Sequence, residues 1–480
     1  MPTTLLWFRH DLRLADNPAL HQAITLGQPC IALYLLPQGT QERPHGAASR
    51  WWLHHSLTCL KQSLSTLNIP LILSHQPAQA FIQQLCEQYN ISHIFWNRSY
   101  ELAAIERDRT LKIILKQQGI NAQSFNSHLL YEPWEITNQQ GSHFKVFTPF
   151  WKKYLSMPAP ALPLPLPTSP LPPCPHNINT KSLTSWQLLP QKPDWAAGLR
   201  ATWHAGEQQA LQRLHHFLDH HINNYHEGRN RPDLQHVSGL SPHLRFGEIS
   251  PRQIWHATQN HPLYPQRKTD ADSFLRELGW REFCYHLLFQ YPNMATNPLD
   301  EKFNAMPWAP NPQQLTAWQQ GKTGIPLIDA GMRQLWHTGW MHNRVRMVVA
   351  SFLIKNLLIP WQEGEQWFWD TLVDADPANN SAGWQWVAGC GADAAPYFRV
   401  FNPILQSQKF DPEGNYIRQY VPELAKLPNN YIHEPHTAPP LILHNAGIRL
   451  GITYPNPLVD LKKSRDQALQ AYDNIKKRTA

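Results

Sequence analysis

Several absences narrow the possibilities before any motif is read. The six cysteines, Cys30, Cys59, Cys86, Cys174, Cys284 and Cys390, include no CxxC pair, which argues against a disulfide framework and a structural zinc site and favours a reducing compartment. No GxGxxG follows an early strand, so the N-terminal half gives no sign of gripping a dinucleotide in the Rossmann manner. GKT at Gly321 lacks the glycine that a phosphate-cradling loop needs five residues upstream, where Thr316 stands. His216 and His220 have metal-ligand spacing but no HExxH glutamate, so no metal is expected. No uncharged apolar run reaches the roughly 18 residues that span a bilayer. The start, MPTTLLWFRHDLRL, has no basic leader, long apolar core or small-residue cleavage site. A cytoplasmic protein without membrane association is expected. No unit of about 20 to 50 residues repeats, which excludes a solenoid.

What is present begins with size. A chain of 480 residues, 42% hydrophobic, is too long for one ordinary core, and two domains are expected. Twenty tryptophans exceed what packing alone requires. The net charge of +7 suits a basic patch facing a polyanion, nucleic acid first, or merely keeps the protein soluble.

From Thr3 to about Phe125 short apolar runs alternate with amphipathic stretches: TTLLWF, CIALYLL, LILS and ISHIFW are each followed by a helical pattern. This βα rhythm predicts a parallel, Rossmann-like sheet with helices on its faces, in an α/β domain over residues 1–130. PAPALPLPLPTSPLPPCP, Pro158 to Pro175, forbids regular structure and predicts an extended connector over 131–202. Beyond Trp203 helical patterns dominate, which predicts an all-helical domain over 203–475. LQRLHHFLDHHINNY sets Leu211, Leu214, Leu218, Ile222 and Tyr225 on one face, and PLIDAGMRQLWHTG runs from Pro326 to Gly339.

Four stretches carry chemistry. DADPANNSAGWQWVAGCGADAAPYFR, Asp374 to Arg399, crowds together acids that can fix ribose hydroxyls or a cation, the Asn380 amide, and two flat indoles, Trp384 and Trp386. A planar, redox-active ligand fits it. In VSGLSPHLRFGEISPRQ, Ser241 and Ser250 precede prolines and read as helix N-caps, whose free amides suit phosphates or are simply capped. The helix after Gly339 turns Met341, Val345, Val348 and Phe352 to a core and Trp340, Asn343, Arg344 and Met347 to another stripe. In DSFLRELGWREFCYHL, Glu277, Trp280 and Arg281 share a side, with Glu277 and Arg281 spaced for an exposed ion pair.

In order along the chain, LWFRHDLRLADNPAL, GLSPHLRFGEISPRQ, ELGWREF, TGIPLIDAGMRQLWHTGWMHNRVRM and DADPANNSAGWQWVAGCGADAAPYFRVFNP resemble the motifs of the DNA photolyase/cryptochrome family. The resemblance covers nearly the whole chain and implies an α/β antenna domain joined to an all-helical domain that buries FAD. It implies FAD contacts at Tyr225, Ser238, Leu240, Ser241, Arg346, Asp374, Asp376 and Asn380, the last beside flavin N5. Trp384, Trp361 and Trp308 match the family's electron relay, with Trp308 on the solvent side. Glu277, Asn343, Trp280, Met347 and Trp386 match the pocket for a flipped pyrimidine dimer, and Arg229, Arg281, Arg344, Arg399 and Lys409 match DNA contacts. Val237 and Phe274 depart from the Thr and Trp that relatives place there.

The activity so implied is that of a deoxyribodipyrimidine photo-lyase: light-dependent repair of cyclobutane pyrimidine dimers in DNA by electron transfer from photoexcited reduced FAD. The alternative is a cryptochrome-type blue-light photoreceptor, which GAASRWWLHHSL resembles in part. Asn380, where plant cryptochromes carry aspartate, opposes that alternative. A second, antenna chromophore is expected at Trp51, Trp52 and Glu101, methenyltetrahydrofolate rather than a deazaflavin, unless the two tryptophans only pack their domain. The protein is expected to act as a monomer.

Overall fold

The computed structural model describes residues 1–37, 42–175, 178 and 180–479. These form two compact units, one of Met1–Ala196, Trp203–Asn223 and Ser238–Pro292, the other of Ala197–Thr202, Asn224–Val237 and Asn293–Ala480.

In the first unit the apolar runs become β1 (Thr3–Phe8), β2 (Cys30–Leu35), β3 (Leu71–Ser74), β4 (Ile91–Asn97) and β5 (Asn121–Phe125). They pair in parallel in the order β3-β2-β1-β4-β5. The helices α1 (Pro18–Leu26), α2 (Ala47–Ser65), α3 (Ala78–Tyr89) and α4 (Leu102–Gln117) connect successive strands, as the rhythm predicts. Parallel neighbours need such crossovers, and β1, wholly buried, lies where the strand order reverses. The Asn17 side chain starts α1 by accepting from the amide of Leu20 at 3.1 Å.

The charged residues after β1 serve this unit's architecture. Asp11 accepts from the Asn97 amide nitrogen at 2.6 Å, and Arg9 pairs with Asp108 at 2.9 Å. Arg13, only 1% exposed, donates to the carbonyls of Gly247 and Ser127, each at 2.9 Å. A buried guanidinium is tolerable only with its donors used, and this one ties three segments together.

The proline-rich stretch carries no helix or strand from 158 to 175. It nonetheless lies on the first unit: the Leu164 amide donates to Asp16 at 3.0 Å and that of Leu171 to the Leu67 carbonyl at 3.1 Å. Ahead of it runs α5 (Phe147–Leu155). Four further helices belong to the first unit: α6 (Glu207–His216), α7 (Ser241–Phe246), α8 (Pro251–Gln259) and α9 (Lys268–Gln290).

Two expectations about this stretch need correction. The helix read through to Tyr225 passes at Phe217–His221 into a π-helical turn, and Asn224 then adopts a left-handed φ of 59°. Leu214, Leu218, Ile222 and Tyr225 are nonetheless buried, and only Leu211, ahead of the turn, is half so. Ser250 caps α8 with a reciprocal Gln253 contact, whereas Ser241 is the first residue of α7 and not its cap.

The second unit is helical, built on α10 (Pro326–Thr338), α11 (Asn343–Ser351), α12 (Trp361–Thr371), α13 (Pro377–Ala388) and α14 (Pro403–Phe410). Pro326 opens α10 and Gly339 closes it at φ 65°. The next helix begins at Asn343, three residues later than the sequence pattern suggests, because His342 caps it. Met341, Val345, Val348 and Phe352 are all fully buried in one core with Trp318, Trp361 and Trp384. Among the described residues no helix is long and apolar enough to cross a membrane.

Candidate functional site

The centre of the second unit is the start of α13. Asp376 caps it, its carboxylate accepting from the amides of Ala378 at 3.0 Å and Asn379 at 2.8 Å. Asp374 is buried and pairs with Arg346, whose Nη2 lies 2.8 Å from Oδ2. Arg346 also donates through Nε to the Met341 carbonyl at 2.7 Å, so two expected cofactor residues form one rigid element.

Asn380 is oriented by a residue that sequence reasoning missed. Its Nδ2 donates to the Glu365 backbone carbonyl at 3.0 Å and to Oε1 at 2.8 Å. Ser381 adds a hydroxyl donor to the same carboxylate at 3.3 Å. A flipped Asn380 would set oxygen against two oxygens, so the network fixes Oδ1 as the outward acceptor. Glu365 is 1% exposed on α12, and no local spacing links it to position 380.

Two residues along α13, Trp384 and Trp386 face nearly opposite ways, as the helical repeat requires. Trp384 is buried and Trp386 half-buried. Trp384 Nε1 is buried without a hydrogen-bond partner, an omission that costs free energy unless a ligand meets it. Its six-membered ring rests on the backbone of α12 at Gly364, one turn beyond Trp361. The Ala309 amide donates to the Leu358 carbonyl at 2.8 Å, which brings the Trp308 segment beside the lead-in to Trp361. Trp384 and Trp361 are both buried, 3% and 1% exposed, while Trp308 is half-buried at the end of the series.

A Cβ on Gly364 would stand 2.1 Å from Cη2 of Trp384. Gly364→Ala is therefore expected to lower stability by about 1–3 kcal/mol, the usual cost of overpacking. Urea unfolding checks it, and an unchanged midpoint would contradict this packing.

Around α11 lies a cationic cluster. Arg344 donates to Asn230 Oδ1 at 2.5 Å and lies 4.5 Å above the Phe410 ring, which Lys409 also faces at 5.3 Å. Met347 Sδ is 3.8 Å from Arg344 Nη1, and the Arg229 guanidinium sits 5.9 Å over Tyr225. Asn343 is exposed at the helix start. Arg399 is exposed too, its carbonyl accepting at 3.0 Å from the wholly buried Lys355, which burial pushes down to about 7.

His342 caps α11 by accepting the Arg344 amide at Nδ1, 3.2 Å away. Burial, then Arg344, Arg346 and Arg229, push it down to about 3. Its folded value lies below the unfolded value near 6.5, so the unfolded chain takes up the proton first on acidification. The associated stability is complete above about pH 6.5 and drains away towards pH 3. His342→Asn, which keeps a cap, should flatten that part of the pH dependence of the urea midpoint. An unaltered slope would show that His342 is not responsible.

The remaining candidates belong to the first unit. Leu240 is buried and its amide donates to Ser238 Oγ at 3.4 Å, while Ser241 is exposed at the start of α7. On α9, Glu277 and Trp280 are half-buried on one side. Arg281 departs from expectation: it is 8% exposed and donates to the His128 carbonyl at 2.9 Å and towards His128 Nε2 at 2.7 Å. With its donors turned inward it is not placed as an exposed DNA contact, nor as a surface partner of Glu277. Sequence reasoning also passed over Phe147 of α5, whose ring lies 3.6 Å from that of Trp280, 9° from parallel.

The antenna candidates divide. Trp52 is fully buried, donates from its indole to Glu248 at 3.1 Å and stacks on Phe246. Trp51 is buried against His55, and Glu101 is half-buried with its carboxylate 4.0 Å from His10. Nearby His45 is buried with neither ring nitrogen bonded, and burial pushes it down to about 3. Among the described residues no group of three or more His, Cys, Asp or Glu is placed to hold a metal.

The chain combines a parallel α/β unit with a helical unit that offers an oriented amide, an orphaned buried indole N–H and a fixed Arg–Asp pair, groups that suit a planar ligand with polar edges. Residues 4–170 match the DNA photolyase family and residues 274–474 the FAD binding domain of DNA photolyase. The chain is 46% identical to the deoxyribodipyrimidine photo-lyase of Agrobacterium fabrum, over 99% of this chain and 98% of that one. It is 38% identical to cryptochrome-1 of Arabidopsis thaliana, over 98% of this chain and 70% of that one. The crystal structure of a bacterial class III photolyase from Agrobacterium tumefaciens superposes with a TM-score of 0.96 at 46% identity, over 99% of this chain and 98% of that one. The chain belongs to the DNA photolyase family and carries that family's FAD-binding domain.

Proposed function

We propose that this protein repairs cyclobutane pyrimidine dimers in DNA under light, with FAD as its cofactor. The observation that carries this reading is the Glu365–Asn380 network, which leaves Oδ1 as an acceptor. An acceptor there suits the reduced flavin, whose N5 bears hydrogen. Tyr225, Ser238, Leu240, Ser241, Arg346, Asp374 and Asp376 hold the rest of the cofactor. Bound reduced FAD supplies, on absorbing blue or near-ultraviolet light, one electron that opens the cyclobutane ring and is then recovered.

The chain's own residues do the remainder. Trp384, Trp361 and Trp308 form a path for an electron from the solvent side. Trp280, Trp386 and Met347 pack the flipped dimer, whose damaged pairing makes extrusion cheaper. Glu277, as a carboxylic acid, and Asn343 hydrogen-bond its carbonyl oxygens and stabilise charge that develops only during reaction. Arg229, Arg344, Arg399 and Lys409 neutralise phosphates, which makes binding salt-dependent and indifferent to sequence. The protein does this as a monomer.

A second chromophore, methenyltetrahydrofolate rather than a deazaflavin, sits in the first unit by Trp51 and Glu101, where the unbonded His45 nitrogens offer polar partners. The similarity to cryptochrome-1 supports one rival, a blue-light receptor without repair. Extracting the chromophores of the purified protein and comparing dimer content after light and dark incubation tests both: FAD with strictly light-dependent dimer loss is expected. FAD with no dimer loss would favour the receptor, and absence of FAD would end both readings.

A further inference from the structure

Among the described residues no hydrogen bond tethers the Trp280 indole, yet the plane of its ring decides how it meets any flat ligand. Phe147 fixes that plane. Their rings are 3.6 Å apart and 9° from parallel. Behind Phe147, one turn along α5, Trp151 continues the pile at 6.1 Å and 11°. Trp151 in turn rests on the backbone of α9 at Gly279, where a Cβ would come within 2.3 Å of its ring. Phe283 closes the edge of Trp280 at 5.9 Å and 76°.

The pile is therefore anchored at both ends to α9, and its two end rings, Trp280 and Trp151, are both half-buried. Phe147 is 1% exposed and stacks on one face of Trp280. A change of rotamer at Trp280 would break the stack, so the free face is held ready rather than sampled.

We propose that Phe147 and Trp151 are positioning residues for Trp280, which they fix so that it packs the dimer with a single preset face. This rests on the reading that Trp280 contacts the dimer. Prepaying the ordering of an interface side chain improves affinity, and stacking on an ordered ring tolerates any base, so the effect falls on dimer binding and not on the electron-transfer step.

The test uses the reduced, FAD-loaded full chain with matched oligonucleotides, one carrying a single cyclobutane thymine dimer. Phe147→Ala should raise the Kd for the dimer oligonucleotide by about three- to tenfold. Its affinity for undamaged duplex, the salt dependence of that affinity and the repair yield per photon at saturation should stay within about twofold of the parent. Phe147→Tyr, which restores the stack, should return the Kd to the parent value. Gly279→Ala, which displaces Trp151, should weaken dimer binding in the same selective way, and it serves if Phe147→Ala does not fold. Unchanged dimer affinity in Phe147→Ala, or equal loss for damaged and undamaged DNA, would overturn the proposal. Trp280→Ala separates the two levels: if it too leaves dimer binding unchanged, the contact assigned to Trp280 is wrong. If it weakens binding while Phe147→Ala does not, only the positioning role is lost.

Discussion

Replacing Trp361 by phenylalanine should slow photoreduction of the oxidised flavin by about two orders of magnitude, equivalent to ~2.7 kcal/mol on the limiting hop. Trp361 is the middle member of the series and is 1% exposed. Trp384 rests on α12 one turn away, at Gly364, which places Trp361 next to it on the path to Trp308. Phenylalanine fills most of the same space but is far harder to oxidise. Enzyme reduced chemically beforehand should repair dimers at nearly the parental rate, since the relay then has nothing to deliver. Flash photolysis and a repair assay on the same preparation read the two quantities separately. Equal loss of both would mean that Trp361 supports the core and does not conduct.

Glu277→Ala should lower the repair yield per photon about a hundredfold or more, the usual consequence of removing a donor aimed at developing charge. Glu277 precedes Trp280 by three residues on α9, which places both on one side of the helix. Arg281, four residues on, turns to His128 and Glu282 instead. Flavin content should be unaffected, and Glu277→Gln, which still donates, should retain much of the yield. If Glu277→Ala only lowers the unfolding midpoint, its role is structural.

Much of the architecture was written in local pattern. The βα alternation led to the parallel sheet because period and turn residues are local properties, and Pro158 to Pro175 led to an irregular segment because proline lacks the donor that regular structure needs. At the site, the crowding of Asp374, Asp376, Asn380 and Trp384 was visible for the same reason: one helix and the residues leading into it carry them all.

What escaped was set by tertiary contacts. Glu365 orients Asn380 from a different helix, Phe147 reaches Trp280 from more than a hundred residues upstream, and the two meet in no sequence window. Arg281 looked like a surface cation because spacing reports the face of a helix and not what covers it. The π-helical turns at Phe217–His221 and Phe352–Asn356 escaped likewise, since an extra residue in a helix leaves no compositional mark. The second of these carries Lys355, which holds the Arg399 carbonyl.

The central claim is that light drives this protein to reverse a cyclobutane dimer. Its most direct measurement illuminates the reduced holoenzyme with excess oligonucleotide carrying one thymine dimer and follows the recovery of intact thymines by chromatography. Many dimers reversed per protein, with the flavin still reduced at the end and none reversed in the dark, is the predicted result. Dimers that persist under light while the flavin remains fully reduced would contradict it.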